Sequence, residues 1–312
     1  HPGEPLHKDK AMKIFLASLS VELLTEFNKR VPGYKHNVLL PYSGIYYNNM
    51  KPHPYTKNNR HLINELILDS GAYTLHKMFP DPFVRKIEAE KLMQAYLVYC
   101  KQAHDQYDFI FSMDDEFHMD SFEHNLGRLY EFEQAGIKAV PVVHNIYDES
   151  ELNYLIREGY DRVAIGQCKG RDDLGNLSKA VNTFNTTGVK VHLFGMTTPK
   201  LIRHVKADTC DSKSWQKYAE MGQALFWNHD RKGMDKTDII YFPKYQEKPS
   251  EVKGHYYHDY DHLEKFKDHL EKNLNMSLKD LEGLKKEVHL HLVNMYYYME
   301  LEKVVTEHPI YV

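Results

Sequence analysis

Cysteine is scarce: Cys100, Cys168 and Cys210 are the only three in 312 residues, and they form neither CxxC nor CxC. So odd and scattered a set argues against a disulfide framework or a thiolate zinc site and points to a reducing, cytoplasmic setting. No apolar run approaches the roughly 18 to 20 residues a membrane span requires, so no membrane partner is expected. Neither sign of charge dominates, with 40 Lys and Arg against 44 Asp and Glu. Nucleic acid, if bound, must therefore be met by a local basic patch. No GxGxxG follows the first strand-like run, which weakens a doubly wound dinucleotide-binding sheet as the architecture.

What is present is alternation. The opening HPGEPLHKDKA is polar and unpatterned and precedes the first methionine, Met12, so residues 1–11 read as an expression scar. No signal peptide is expected, because MKIFLASLSVELL passes directly into an amphipathic helix. From Met12, eight short β-rich runs alternate with helical stretches: KIFLASL, NVLLPYS, ELILDSG, YDFIFSMD, KAVPVVHN, DRVAIGQ, VKVHLFGM and ADTCDS. Runs such as FIFSM, AVPVV and VHLFG are continuously apolar, as parallel strands covered on both faces should be. The pattern predicts an α/β fold, a (β/α)8 TIM barrel over 12–228. The stretch WQKYAEMGQALF is expected as its last helix. Residues 229–312 then form a polar, loop-like connection and a C-terminal helical appendage, in which Leu281, Leu284, Val288, Leu292 and Met295 recur at helical spacing.

In such a barrel the strand ends converge on one mouth, where catalytic groups gather. Asp69 ends ELILD, Asp114 ends FIFSMD, His144 and Asn145 end VPVVHN, Gly166 and Gln167 end VAIGQ, Gly195 ends HLFG, and Asp208 and Asp211 close the eighth run. Any one acid there could simply cap the next helix. Several around one mouth suggest acid/base or nucleophilic work, with one carboxylate attacking while another stays protonated.

These motifs, in order, resemble the tRNA-guanine transglycosylase superfamily: DSGAYT at 69–74, MDDE at 113–116, AIGQ at 164–167, HLFGMTTP at 192–199 and DTCDSKSW at 208–215. The DSxSW form of the last is most similar to the short, phage-type 7-deazaguanine DNA transglycosylases. The resemblance covers roughly 12–227. It implies that Asp211 is the nucleophile attacking C1′ of a target deoxyguanosine, with Asp69 as acid/base partner. Asp114 would accept hydrogen bonds from the N1 and exocyclic-amine face of the base. Ser70, Gly71, Tyr73, His144, Asn145, Gly166, Gln167, Phe194 and Gly195 would complete the substrate site, Tyr73 or Phe194 by stacking. The implied partners are DNA, with its target nucleotide flipped out or single-stranded, and a 7-deazaguanine base such as preQ0. A homodimer mate or helper protein is left open. The implied setting is the cytoplasm, that of the host if a phage encodes the chain.

The zinc signature CxCxxC…H of the tRNA enzymes is missing, so no cofactor is expected, and Ala72 and Thr74 stand where the family usually has Gly and Gln. His255, His258 and His262 match no known ligand spacing. Lys169, Arg171, Lys200, Arg203, Lys206, Lys213 and Lys217 could meet phosphates. Competing readings are the same chemistry on tRNA or a nucleoside, a non-catalytic barrel subunit, and a metal-dependent hydrolase.

Overall fold

The computed structural model describes residues 12–116, 121–243, 254–283 and 285–308; the side chains of Gln167 and Lys169 lie outside that description, as does the opening segment 1–11. The chain runs β1 (Lys13–Ala17), α1 (Val21–Arg30), β2 (Asn37–Pro41), α2 (Tyr42–Tyr46), β3 (Leu66–Asp69), α3 (Ala72–Met78), α4 (Pro82–Ala103) and β4 (Phe109–Phe111). It continues through α5 (Phe122–Gln134), β5 (Ala139–Val140), β6 (Val142–Asn145), α6 (Glu149–Arg157), β7 (Arg162–Lys169), α7 (Leu174–Thr186), β8 (Lys190–Leu193), α8 (Pro199–His204) and β9 (Thr209–Ser212).

These nine strands form one parallel sheet in the order β5-β4-β3-β2-β1-β9-β8-β7-β6. Its two end strands are consecutive in the chain, parted only by Pro141, which has no N–H to give the ladder. The ladder nevertheless passes across the break, since Ser112 N donates to Val140 O and Ala164 N to Pro141 O, each at 2.9 Å. β5 and β6 thus act as one interrupted stave, and the sheet is an eight-stave barrel. Phe15, Leu39, Ile67, Phe111, Val142 and Ala164 fill its interior, separate from the larger core between strands and helices. Two buried faces explain the unbroken apolar runs.

The barrel is followed by α9 (Ser214–Glu220), β10 (Gln223–Trp227), β11 (Thr237–Tyr241), β12 (His255–Tyr256), α10 (Leu263–Leu274) and α11 (Lys286–Glu307). Here the expected elements need correction. The helix expected over WQKYAEMGQALF stops at Glu220, and QALFW is a strand. Gly222 turns the chain at φ +76°, where a Cβ would stand 2.5 Å from Phe242 O, so only glycine fits. The segment expected as loop supplies β11, which pairs antiparallel with β10 and parallel with β12.

The long C-terminal helical pattern is also split. Leu278–Leu281 is a short 3-10 turn and Gly283, at φ +99°, ends it before α11 begins. Leu281, Leu292 and Met295 are buried, but Val288 is 43% exposed, and Leu284 lies outside the described residues. The barrel and the later elements share one core. Asn294 of α11 accepts from Leu225 N at 2.8 Å and donates to the carbonyls of Trp215 and Gln223, while Glu302 accepts from Ile14 N of β1 at 2.8 Å. No helix among the described residues is long and apolar enough to cross a membrane.

Candidate active site

Helix caps in the βα turns come from acids other than those that end the strands. Asp81 accepts from Phe83 N and Val84 N, Asp148 from Ser150 N and Glu151 N, and Asp173 from Asn176 N. Asp69, Asp114 and Asp211 instead line one cavity of about 380 Å³ at the C-terminal mouth of the barrel. Gly71, Tyr73, Gly166, Phe194 and Gly195 line it with them, and Lys77, Arg171, Lys213 and Lys217 add cationic side chains.

Backbone geometry makes the turn after β3 specific to glycine. Gly71 sits at φ +78°, and a Cβ there would fall 2.0 Å from Ser43 Oγ. Gly166 leaves a flat wall: a Cβ on it would lie 3.4 Å from the Phe194 ring and 3.6 Å from Asp114 Oδ2. Trp215, in the helix after the last barrel strand, is packed and donates from Nε1 to Ala17 O at 3.2 Å.

Asp211 is 8% exposed, and its Oδ1 accepts from His192 Nε2 at 2.9 Å and from Gly195 N at 3.2 Å. His192, with no exposed surface, meets Thr209 Oγ1 at 2.8 Å through Nδ1 and is walled by Phe15, Phe109, Phe111 and Phe194. Burial holds its pKa below the usual value despite the neighbouring carboxylate. The neutral ring therefore donates through Nε2 and accepts from the Thr209 hydroxyl through Nδ1.

The other two acids differ. Burial, reinforced by the charge of Asp211, pushes Asp69 up to about 7, against hydrogen bonds from Ser70 and Gly71 N–H that pull it down. Asp114 is driven well above the usual carboxylate range by burial and then by Asp69. One mouth therefore holds two carboxyl groups that burial pushes up beside a third, Asp211, fixed by two N–H donors, an arrangement that lets one act as acid while another acts as nucleophile.

Not every expected site residue reaches the cavity. Ser70 is buried and accepts from Ala72 N, shaping the turn. His144 faces outward between α5 and α6, with Nε2 2.7 Å from Asn125 Nδ2 and its backbone N–H on Glu151. Asn145 closes its own turn by accepting from Tyr147 N. Gln167 continues β7, and its side chain is outside the description. Of the expected basic set, Arg171, Lys213 and Lys217 line the cavity, whereas Arg203 is buried on the carbonyls of Met234 and His308. His255 packs on Tyr260, His258 on Tyr257 and His262 on Tyr260. The described residues contain no group of three or more His, Cys, Asp or Glu placed to hold a metal ion.

The residues that sequence reasoning missed are His192 and Thr209. Register held the signal: β8 pairs with β9 so that His192 stands opposite Thr209, and Asp211 lies two residues further along the same face.

No family model and no curated protein matches this chain. Among solved structures, a protein from Aquifex aeolicus VF5 superposes on 68% of this chain and 87% of its own, at 11% identity and a TM-score of 0.38. A likeness that shallow adds nothing to what the strand order already establishes.

Proposed function

We propose that the protein exchanges guanine in DNA for a 7-deazaguanine base such as preQ0, through a covalent glycosyl ester on Asp211. The observation carrying this reading is the pair of carboxyl groups, Asp69 and Asp211, in one cavity with unlike surroundings. Asp211 is held by two N–H donors on one oxygen, as suits a positioned nucleophile, and Asp69 is pushed up to about 7, as suits a group that gives and takes a proton near neutrality.

In the first step Asp211 attacks C1′, the C1′–N9 bond breaks, and Asp69 delivers its proton to the departing guanine. In the second, the incoming base gives its N9 proton to Asp69, N9 attacks C1′, and the ester to Asp211 breaks. Both carboxyl groups are regenerated, as in a retaining glycosidase with a base in place of water. Asp114, beside the flat wall at Gly166, would take the N–H face of the base, whose donors favour its ionised form. Phe194 would cover one ring face, and Lys77, Arg171, Lys213 and Lys217 would meet the phosphates outside.

The test is incubation with guanine-containing DNA and a set of 7-deazaguanine bases, then digestion and mass analysis of the nucleosides. The expected result is a 7-deazaguanosine deoxynucleoside with release of free guanine. Exchange into tRNA alone would replace the DNA reading, and no exchange into either polymer would end it.

A further inference from the structure

We infer that the first two turns of α4, with the adjoining ends of α2 and α3, form the surface on which a nucleic-acid duplex lies, and that Phe83 is the wedge that enters its base stack. This rests on the reading of the cavity as a site for a base held in a polynucleotide.

The helix is too long for the barrel beside it. Its 22 residues span about 33 Å, whereas β3, with 4 residues, spans about 13 Å. Because α4 leads from the mouth down to the start of β4, the surplus lies at its N-terminal end, beyond the strand ends. Burial agrees: the buried residues of α4 begin at Ala89.

The overhang is apolar where water should favour polar groups. Phe83 is 75% exposed, the most of any exposed large hydrophobic residue described, and Val84 and Ile87 are exposed beside it. Met78 at the end of α3 and Tyr47 and Met50 after α2 are exposed as well, as is Tyr73 at 53%. Together these make seven of the twelve exposed large hydrophobics among the described residues, confined to positions 47–87. Clustered exposed apolar groups of this kind mark an interaction site.

Charge selects the occupant. Over 47–51 and 70–89 the cations Lys51, Lys77, Arg85 and Lys86 outnumber the acids Asp81 and Glu88; the Asp81 carboxylate is taken up by Phe83 N and Val84 N, and Glu88 is paired with Lys91. A two-fold contact with a second copy would set those cations against their own images; a polyanion would neutralise them. The patch is also continuous with the cavity, because Tyr73 and Lys77 belong to both and Lys77 Nζ lies 5.4 Å from the Tyr73 ring centroid. Apolar wedges that unstack a duplex are a recurrent device, and a base bound for a barrel mouth must leave its stack.

The test compares Phe83→Ala with the unaltered protein on one target sequence, as a single strand and as a duplex carrying 2-aminopurine beside the target guanine. Expected are a loss of at least about tenfold in duplex exchange, single-strand exchange within twofold of the unaltered protein, and loss of the fluorescence rise that the unaltered protein produces on the duplex. Duplex opening by the unaltered protein, abolished in Phe83→Ala, supports the inference even if no base is exchanged, and then the transglycosylase reading alone fails. Normal single-strand exchange with an undiminished duplex rate in Phe83→Ala overturns the wedge and leaves the cavity reading standing. The same holds if sedimentation finds a dimer that Phe83→Ala dissociates. Unaltered protein that neither binds nor opens a duplex overturns it too.

Discussion

Both N–H donors to Asp211 fall on Oδ1, one from a buried ring and one from the backbone of Gly195 at φ +62°. The donors hold Oδ1 in place, which leaves Oδ2 to attack. Asp211→Asn should therefore lower exchange by at least about 10³-fold and abolish the covalent adduct seen by mass. His192→Phe keeps the apolar packing and removes both ring hydrogen bonds. It should cost about 10- to 100-fold in kcat with KM little changed, and a normal kcat would strip His192 of its positioning role. That Asp69, Asp114 and Asp211 meet was legible in the sequence, since each sits towards the end of a strand-like run in the alternating pattern. His192 was not, because an inward-facing residue within such a run reads as core until the neighbouring strand's register is known.

Among the elements, the staves were legible because burial on both faces leaves a contiguous apolar signature. Even the one broken by Pro141 was readable as a single run. Beyond Glu220 the signals were weaker: β10 reads as the tail of a helix because QALFW has no polar alternation, being buried along its whole length. β11 hides in a polar stretch because only alternate residues are buried. β10 matters to the barrel, since Asn294 of α11 ties it and the first turn of α9 to a helix that also reaches β1 through Glu302. Asn294→Ala strands the N–H of Leu225 and two carbonyls in a dry core. The expected cost is about 2 to 4 kcal/mol, read as a lower urea midpoint at unchanged slope. Truncation after Asn228 removes α11 from β1 and should yield insoluble protein; a soluble, cooperatively folding 12–228 fragment would show that the barrel closes without it.

For the molecule as a whole, the proton balance is set by groups buried on both sides of neutrality. Burial pushes Asp69, Glu300 and Glu302 up to about 7, and drives His36 down to about 3 and His269 to about 4. A carboxyl group whose folded pKa is raised adds stability in full below its unfolded pKa and loses it as pH rises through the folded value. A histidine whose folded pKa is lowered acts in the opposite sense, costing stability as pH falls below about 6.5. Between about pH 4 and 6.5 the two sets oppose one another. Above 6.5 the histidines are neutral in both states, and the carboxyl groups alone set the slope. The melting temperature should then fall between pH 6.5 and 8, as Asp69, Glu300 and Glu302 together give up roughly 2 kcal/mol of stability, with Asp114 acting in the same direction. Calorimetry of Asp69→Asn and Glu302→Gln separates the shares: each should flatten part of the fall and raise the melting temperature at pH 8 relative to pH 6. Because Asp69 is also the proposed acid, exchange should decline over the same interval in the unaltered protein. A melting curve that drifts with pH while exchange does not would separate the buried charge of Asp69 from any part in the chemistry.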